Sequence, residues 1–167
     1  MPLRDIIQPK MIEINDWLRL RKYDGNFELF LPGYQNPVIY QNSEGIFDES
    51  RIPDLDYVNG MCNYLAKVGE LYFIETKEGG CFVPIGDVTE KNENPPIAIW
   101  VDRYRGKGIG TLVMKTVIER LKELGFDRIM GSTVYKWNLP SRKMHEKLGF
   151  CPVGENEKEI IYELNLG

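Results

Sequence analysis

The stretch Val101-Asp102-Arg103-Tyr104-Arg105-Gly106-Lys107-Gly108-Ile109-Gly110-Thr111 constrains the fold most, because it separates two segments of different hydrophobic period. Before it, Ile97 to Val101 is an unbroken apolar run bounded by Pro95-Pro96. Such a run predicts a strand buried on both faces, at the centre of a sheet. After it, Ile109, Val113, Val117, Leu121 and Leu124 fall on one helical stripe, widened by Leu112, Met114 and Ile118, and Gly125 is placed to end the helix. Strand, glycine loop and long amphipathic helix in immediate succession predict a mixed α/β fold.

The flanking segments extend that pattern. Asp16 to Arg21 alternates apolar and charged residues around Leu18 and Leu20, as a short strand does. Leu55, Val58, Met61 (or Cys62) and Leu65 recur at helical spacing, which predicts a helix over Asp54 to Lys67, ending before Gly69. Leu71 to Glu75 and Cys81 to Val88 read as strands joined in a hairpin by Lys77-Glu78-Gly79-Gly80. Arg128 to Val134 is a further strand, and Asn138 can cap a short helix with Pro140 in its first turn, Met144 and Leu148 on its apolar side and Gly149 as its stop. Cys151 to Gly154 and Glu159 to Leu166 close the chain as a strand pair around Asn156-Glu157-Lys158. Tyr23, Phe27, Phe30, Tyr34, Tyr40 and Phe47 lie in a turn-rich segment, where they either wall a cleft or pack on the core; core packing is favoured.

At 167 residues the chain fits one domain, spanning residues 1–167, able to bury about 70% of its unfolded surface. No apolar run approaches the roughly 20 residues that cross a bilayer, so no membrane association is expected. The start Met1-Pro2-Leu3-Arg4-Asp5 has no apolar signal core, and Cys62, Cys81 and Cys151 form no CxxC pair, which predicts a reduced, cytoplasmic protein. A net charge of −4 disfavours a generic nucleic-acid binder. The sequence leaves a homodimer open.

The glycine loop carries the chemistry. Gly106, Gly108 and Gly110 remove every second side chain, letting backbone N–H groups face an anion at the positive end of a helix dipole. Arg103, Arg105 and Lys107 add three cations in an otherwise acidic chain. A phosphate ligand follows. It is not of the ATP type, since Lys107 is followed by Gly108 rather than Ser or Thr, and not a dinucleotide, since the spacing is GxGxG and Val134-Tyr135-Lys136 offers no ribose-binding acid.

Arg105-x-x-Gly108-x-Gly110 resembles the acetyl-CoA pyrophosphate loop of the GNAT superfamily of N-acetyltransferases, written R/Q-x-x-G-x-G/A. Asn138-x-x-Ser141-x-x-Met144-His145-Glu146-Lys147-Leu148-Gly149-Phe150 is similar to that superfamily's second signature. Ser141 and the strand Ile85 to Val88 are similar to the branch of ribosomal-protein N-terminal acetyltransferases. The resemblance implies a mixed, mostly antiparallel central sheet, splayed after the fourth predicted strand (Ile97 to Val101), with helices on both faces. It implies that backbone groups of Trp100 and Val101 hold the pantetheine arm of acetyl-CoA. Arg105, Gly106, Lys107, Gly108, Ile109, Gly110 and Thr111 would then cradle its pyrophosphate. Asn138 would serve the arm from the other side, although capping its own helix explains that residue equally well.

Direct acetylation of an amine needs a neutral nucleophile, oxyanion donors and a proton for the departing thiolate. The superfamily often supplies that proton from a tyrosine at the position His145 fills, so His145 is one candidate acid and Ser141, a turn earlier on the same face, the other. For the base, Ile97 to Val101 carries no carboxylate; Asp87 could reach the cleft through water, although a solvated strand acid is the more ordinary role for it. The three thiols lack a neighbouring histidine, which disfavours an acyl-cysteine route and suggests buried cysteines. The expected activity is transfer of acetyl from acetyl-CoA to a primary amine: a small amine, an amino sugar or a peptide amino group. The rival is a non-catalytic acyl-CoA sensor. No metal is expected.

Overall fold

The computed structural model describes residues 7–167; the opening Met1 to Asp5, read above for a signal segment, lies outside them. The elements run in the order β1 (Met11–Glu13), β2 (Leu18–Lys22), α1 (Leu31–Tyr34), α2 (Pro37–Asn42), α3 (Leu55–Val68), β3 (Glu70–Glu78), β4 (Cys81–Glu90), β5 (Ile97–Ile99), α4 (Ile109–Glu123), β6 (Arg128–Tyr135), α5 (Leu139–Lys147), β7 (Cys151–Glu155) and β8 (Glu159–Asn165). Two antiparallel sheets form, one ordered β1-β2-β3-β4-β5 and the other β6-β8-β7.

Strand alternation sorts the core into two layers. Leu18, Leu20, Tyr72, Ile74, Ile85 and Val88 face α4, which presents Ile109, Val113, Met114, Val117 and Leu121 to them. Leu71, Phe73, Ala98 and Trp100 face the opposite way, onto Val58, Cys62 and Leu65 of α3 and onto Phe30 and Tyr34. Helices therefore cover both faces of the five-stranded sheet. Arg19 and Arg21 share the second face with Glu75, whose buried carboxylate both guanidinium groups bind at 2.8 and 2.9 Å.

One expectation fails here. Ile97 to Val101 is not the centre of the sheet: β5 pairs only with β4 and forms its edge, while β3 is central. An apolar run reports burial, and burial here comes from the two core layers on either face of the strand, Ile97 and Ile99 against one and Ala98 and Trp100 in the other, rather than from a second strand partner. The two sheets meet at one end only. Met130 donates to Asn92 O at 2.8 Å, Asn94 donates to Met130 O at 2.9 Å, and Glu93 pairs with Met130 in an isolated parallel bridge. Past that clasp β5 and β6 part, leaving a wedge-shaped gap between them.

Candidate active site

The gap opens onto a cleft of about 280 Å³. Alternation along β5 determines what faces it. Trp100 N–H donates to Ile85 O at 2.7 Å and Pro96 O accepts from Thr89 at 3.1 Å, so the even-numbered residues bond to β4. The main-chain groups of Ile97 and Ile99 consequently point away from β4, into the gap. The expected role of the Trp100 backbone is thus corrected: its N–H is committed to β4. Neither Trp100 nor Val101 lines the cleft, and Ile97, Ala98 and Ile99 do.

Opposite β5, Arg105, Gly106, Gly108, Ile109, Gly110 and Thr111 form one wall. Gly106 (φ +73°) and Gly108 (φ +83°) adopt left-handed backbone, and a Cβ on either would meet no protein atom within 4 Å. Glycine is required there by conformation and by the open space before it, not by packing. Gly108 begins α4 without a side-chain cap, leaving the first-turn N–H groups and the positive helix end available to an anion. Those features fit a diphosphate.

The loop cations divide. Arg105 donates to Ile99 O at 2.7 Å and ion-pairs Asp102, so it braces the loop against β5 from within the cleft wall. Arg103 pairs with Glu78, which also accepts from the Tyr104 hydroxyl, and this is a structural use of that charge. Lys107 is exposed and not part of the cleft lining.

The remaining wall comes from α2 and α5: Val38, Ile39, Asn42 and Ser43 on one side, Asn138, Pro140, Ser141 and Met144 on the other. These elements are tied together. Asn138 caps α5 by accepting from Ser141 N–H at 3.4 Å while donating to Asn42 O at 3.3 Å, and Trp137 donates to Gln41 O at 3.0 Å. At its other end α2 is held by Asn36, which donates to Asp102 at 3.0 Å. Asn138 thus has structural partners for both ends of its amide.

The two candidate acids separate as well. Ser141 lines the cleft. His145 lies one turn on but is buried away from it, stacked on Tyr162 at 5.3 Å and edge-on to Phe150 at 4.8 Å. Its Nδ1 lies 2.7 Å from Ser141 O, which needs the proton on Nδ1, and burial pushes its pKa down. A neutral histidine holding a carbonyl inside the core does not reach a thiolate.

Asp87 is not a solvated strand acid, contrary to expectation. It is fully buried, with Oδ1 accepting from the Tyr34 hydroxyl and from Trp100 Nε1, both at 2.8 Å, and with Oδ2 unpartnered. Burial pushes its carboxyl up to about 7, against the pull of those two donors. Gly33 permits this arrangement: a Cβ there would stand 2.4 Å from the Trp100 ring. Of the cysteines, only Cys62 is buried, while Cys81 and Cys151 are exposed.

One group gave no signal in the sequence. Glu44, just beyond α2, is half-buried beside Ser43, and burial raises its carboxyl. It acts electrostatically on Tyr34, Asp87, Tyr57 and Tyr135, that is, on side chains from both sheets and from α1 and α3.

Comparison with known proteins agrees with this geometry. The spermine/spermidine N(1)-acetyltransferase of Bacillus subtilis (strain 168) is 26% identical over 113 residues, 62% of this chain and 73% of that protein. A domain from Methanocaldococcus jannaschii shares the fold with a TM-score of 0.77 at 23% identity, covering 90% of this chain and 99% of its own. The microcin C7 self-immunity acetyltransferase, solved with acetyl-CoA and AMP, is similar with a TM-score of 0.68 at 19% identity over 94% of this chain and 97% of its own. The model of the Acetyltransferase (GNAT) family matches residues 39–150, from within α2 to the residue before β7. With that match over most of its length, the chain belongs to the GNAT acetyltransferase family and is an acyltransferase.

Proposed function

We propose that this protein transfers the acetyl group of acetyl-CoA to a primary amine, such as a small amine, an amino sugar or a peptide amino group. The observation that carries this is the pair of left-handed glycines, Gly106 and Gly108, ahead of an uncapped α4, facing the unpaired edge of β5 across one cleft. Main-chain donors from Gly108 to Thr111 would hold the diphosphate, and the free edge groups of Ile97 with the N–H of Ile99 would pair with the amides of the pantetheine arm, the Ile99 carbonyl being taken by Arg105. Bound there, acetyl-CoA supplies an activated acyl thioester. The name of the relative in Bacillus subtilis makes polyamines one acceptor class to test. We place the protein in the cytoplasm as a single domain; no described helix is long and apolar enough to cross a membrane.

The residues then divide the proton work. Ser141, on the cleft wall, donates toward the departing sulfur, a weak demand because a free thiol has a pKa of about 8.5. Asp87 takes the amine's proton through the Tyr34 hydroxyl: that hydroxyl proton moves to Asp87 as the amine's proton replaces it. A carboxyl raised to about 7 is suited to accept near neutral pH, where a strand acid of ordinary pKa is too weak a base.

Thiol release from acetyl-CoA, followed against a panel of amines that includes polyamines, tests this. Turnover with at least one amine is expected; acetyl-CoA binding with no turnover would leave a sensor instead. Gly108→Val should abolish acetyl-CoA binding, and unchanged affinity would remove the loop from the site.

A further inference from the structure

The six-residue helix α2 is tied at both ends to the lips of the gap. At its C-terminal end the carbonyls of Gln41 and Asn42 accept from the Trp137 indole and the Asn138 amide, which follow β6. At its N-terminal end Asn36 uses both ends of its side-chain amide. The oxygen caps the helix, accepting from Val38 N–H at 3.0 Å, and the nitrogen donates to Asp102 Oδ1 at 3.0 Å. The same Asp102 oxygen ion-pairs Arg105, and Arg105 donates to Ile99 O at 2.7 Å. A continuous chain of side chains therefore runs from the cap of α2, through the acid ahead of the glycine loop, to the edge of β5. The helix is a crossbar over the opening, anchored on the second sheet at one end and on the loop at the other.

The Asp102 side chain is 76% exposed, and an exposed ion pair contributes little to stability. Holding the fold together does not account for partners from two separate elements meeting on one oxygen of an exposed acid. The arrangement fixes position instead: Arg105 opens the loop wall, Asp102 is held by Arg105, and the α2 cap is held by Asp102.

We propose that Asn36 and Asp102 are a positioning pair through which occupancy of the glycine loop sets the placement of α2, and with it the cleft wall of Val38, Ile39, Asn42 and Ser43. This rests on the acetyltransferase function proposed above, from which it takes the ligand of the loop. A diphosphate gripped by the main chain from Gly108 to Thr111 holds the loop still. Arg105 and Asp102 are then held with it, and the N-terminal anchor of α2 becomes rigid. The wall on the far side of the cleft from the loop is thereby completed by the cosubstrate.

The test is amide hydrogen exchange on the full chain, read by NMR with and without saturating acetyl-CoA. Tyr40 N–H, bonded to Asn36 O, and Ser43 N–H, bonded to Ile39 O, report on α2; the amides of Ile109, Gly110 and Thr111 report on the loop. Acetyl-CoA should slow both sets by at least about fivefold in the wild-type chain. Asn36→Asp keeps an acceptor for Val38 N–H but meets Asp102 with a like charge. In it the loop should still respond, which shows the variant folded and loaded, while the α2 response should fall below about twofold. Asn36→Ser, which caps but does not reach Asp102, should behave the same way. Adding Asp102→Asn to Asn36→Asp returns a donor from the opposite side, keeps an oxygen for Arg105, and should restore the α2 response. An α2 response that is absent from the wild type while the loop responds, or undiminished in Asn36→Asp and Asn36→Ser, or not restored by Asp102→Asn, overturns the positioning pair. A wild-type chain in which neither loop nor α2 responds overturns the transferase function and the coupling together, a pattern distinct from failure of the pair alone, in which the loop still responds.

Discussion

The Trp100 indole N–H donates to Asp87 Oδ1 at 2.8 Å inside the second core layer, so an aromatic side chain just beyond β5 and an acid on β4 share one buried hydrogen bond. Trp100→Phe removes that donor while keeping an aromatic ring. It should destabilise the fold by about 2 kcal/mol, as loss of a hydrogen bond to a charged group does, and push the Asp87 carboxyl higher still. Urea unfolding reads the first effect, and displacement of the Asp87 titration to higher pH reads the second. An unchanged titration would show that the indole does not hold the carboxylate.

The raised Asp87 carboxyl has a sign that can be checked. Unfolded, an aspartate titrates near about 4; folded, this one titrates near 7, so between those values the folded state holds the extra proton. Stability from this group is complete below about 4 and is lost as the pH rises through about 7. Asp87→Asn keeps an oxygen for Tyr34 and Trp100 and cannot titrate. Wild-type stability relative to that variant should fall across the interval by up to about 4 kcal/mol, at about 1.4 kcal/mol per pH unit. A difference that stays flat in urea titrations would mean the carboxyl is ordinary.

Ser141 and His145 make opposite predictions. Ser141→Ala should lower kcat by about 10- to 100-fold with little loss of stability. His145→Phe should leave kcat within about twofold and alter the melting temperature, because the imidazole packs between Tyr162 and Phe150. Reversed results would return His145 to the chemistry.

Arg120 binds Glu70 at 2.9 and 3.0 Å and lies 3.6 Å from Glu90, at the junction of β3, β4 and α4. Glu90 is almost fully buried, and its carboxyl is pushed strongly upward by burial and by Glu70. Arg120→Ala should therefore cost about 3 to 5 kcal/mol at neutral pH by leaving the Glu70 carboxylate unpaired, and Glu70→Gln added to it should recover part of the loss. Thermal melts of the two variants decide this; a double variant no more stable than the single one would remove Glu70 from the balance.

The long stripe of α4, the β3–β4 hairpin, the glycine loop and the cap at Asn138 were legible because each is a local pattern whose period or turn chemistry lies within a few residues. β1 and the short helices α1 and α2 were not: β1 is only Met11–Glu13, and the Pro and Gly around α1 and α2 read equally well as turns. The edge position of β5 was hidden for a different reason, since an apolar run records burial and not which neighbour provides it. Asp87 and Glu44 were the hardest. What removes Asp87 from water is Tyr34, 53 residues earlier, and Trp100, 13 residues later. No window along the chain contains that environment.

The clasp of Asn92 and Asn94 on β6 is made of main-chain hydrogen bonds to Met130 and of the Asn94 side chain, which accepts from Thr133 N–H at 3.0 Å, so the angle at which the two sheets diverge is independent of the residues that line the cleft. Evolution can therefore exchange residues such as Val38, Ile39 or Ser43 to retune what is admitted without changing the spacing between β5 and β6. Lengthening the Lys91–Asn94 connection by a residue would do the reverse, altering the gauge of the opening while every lining group kept its identity.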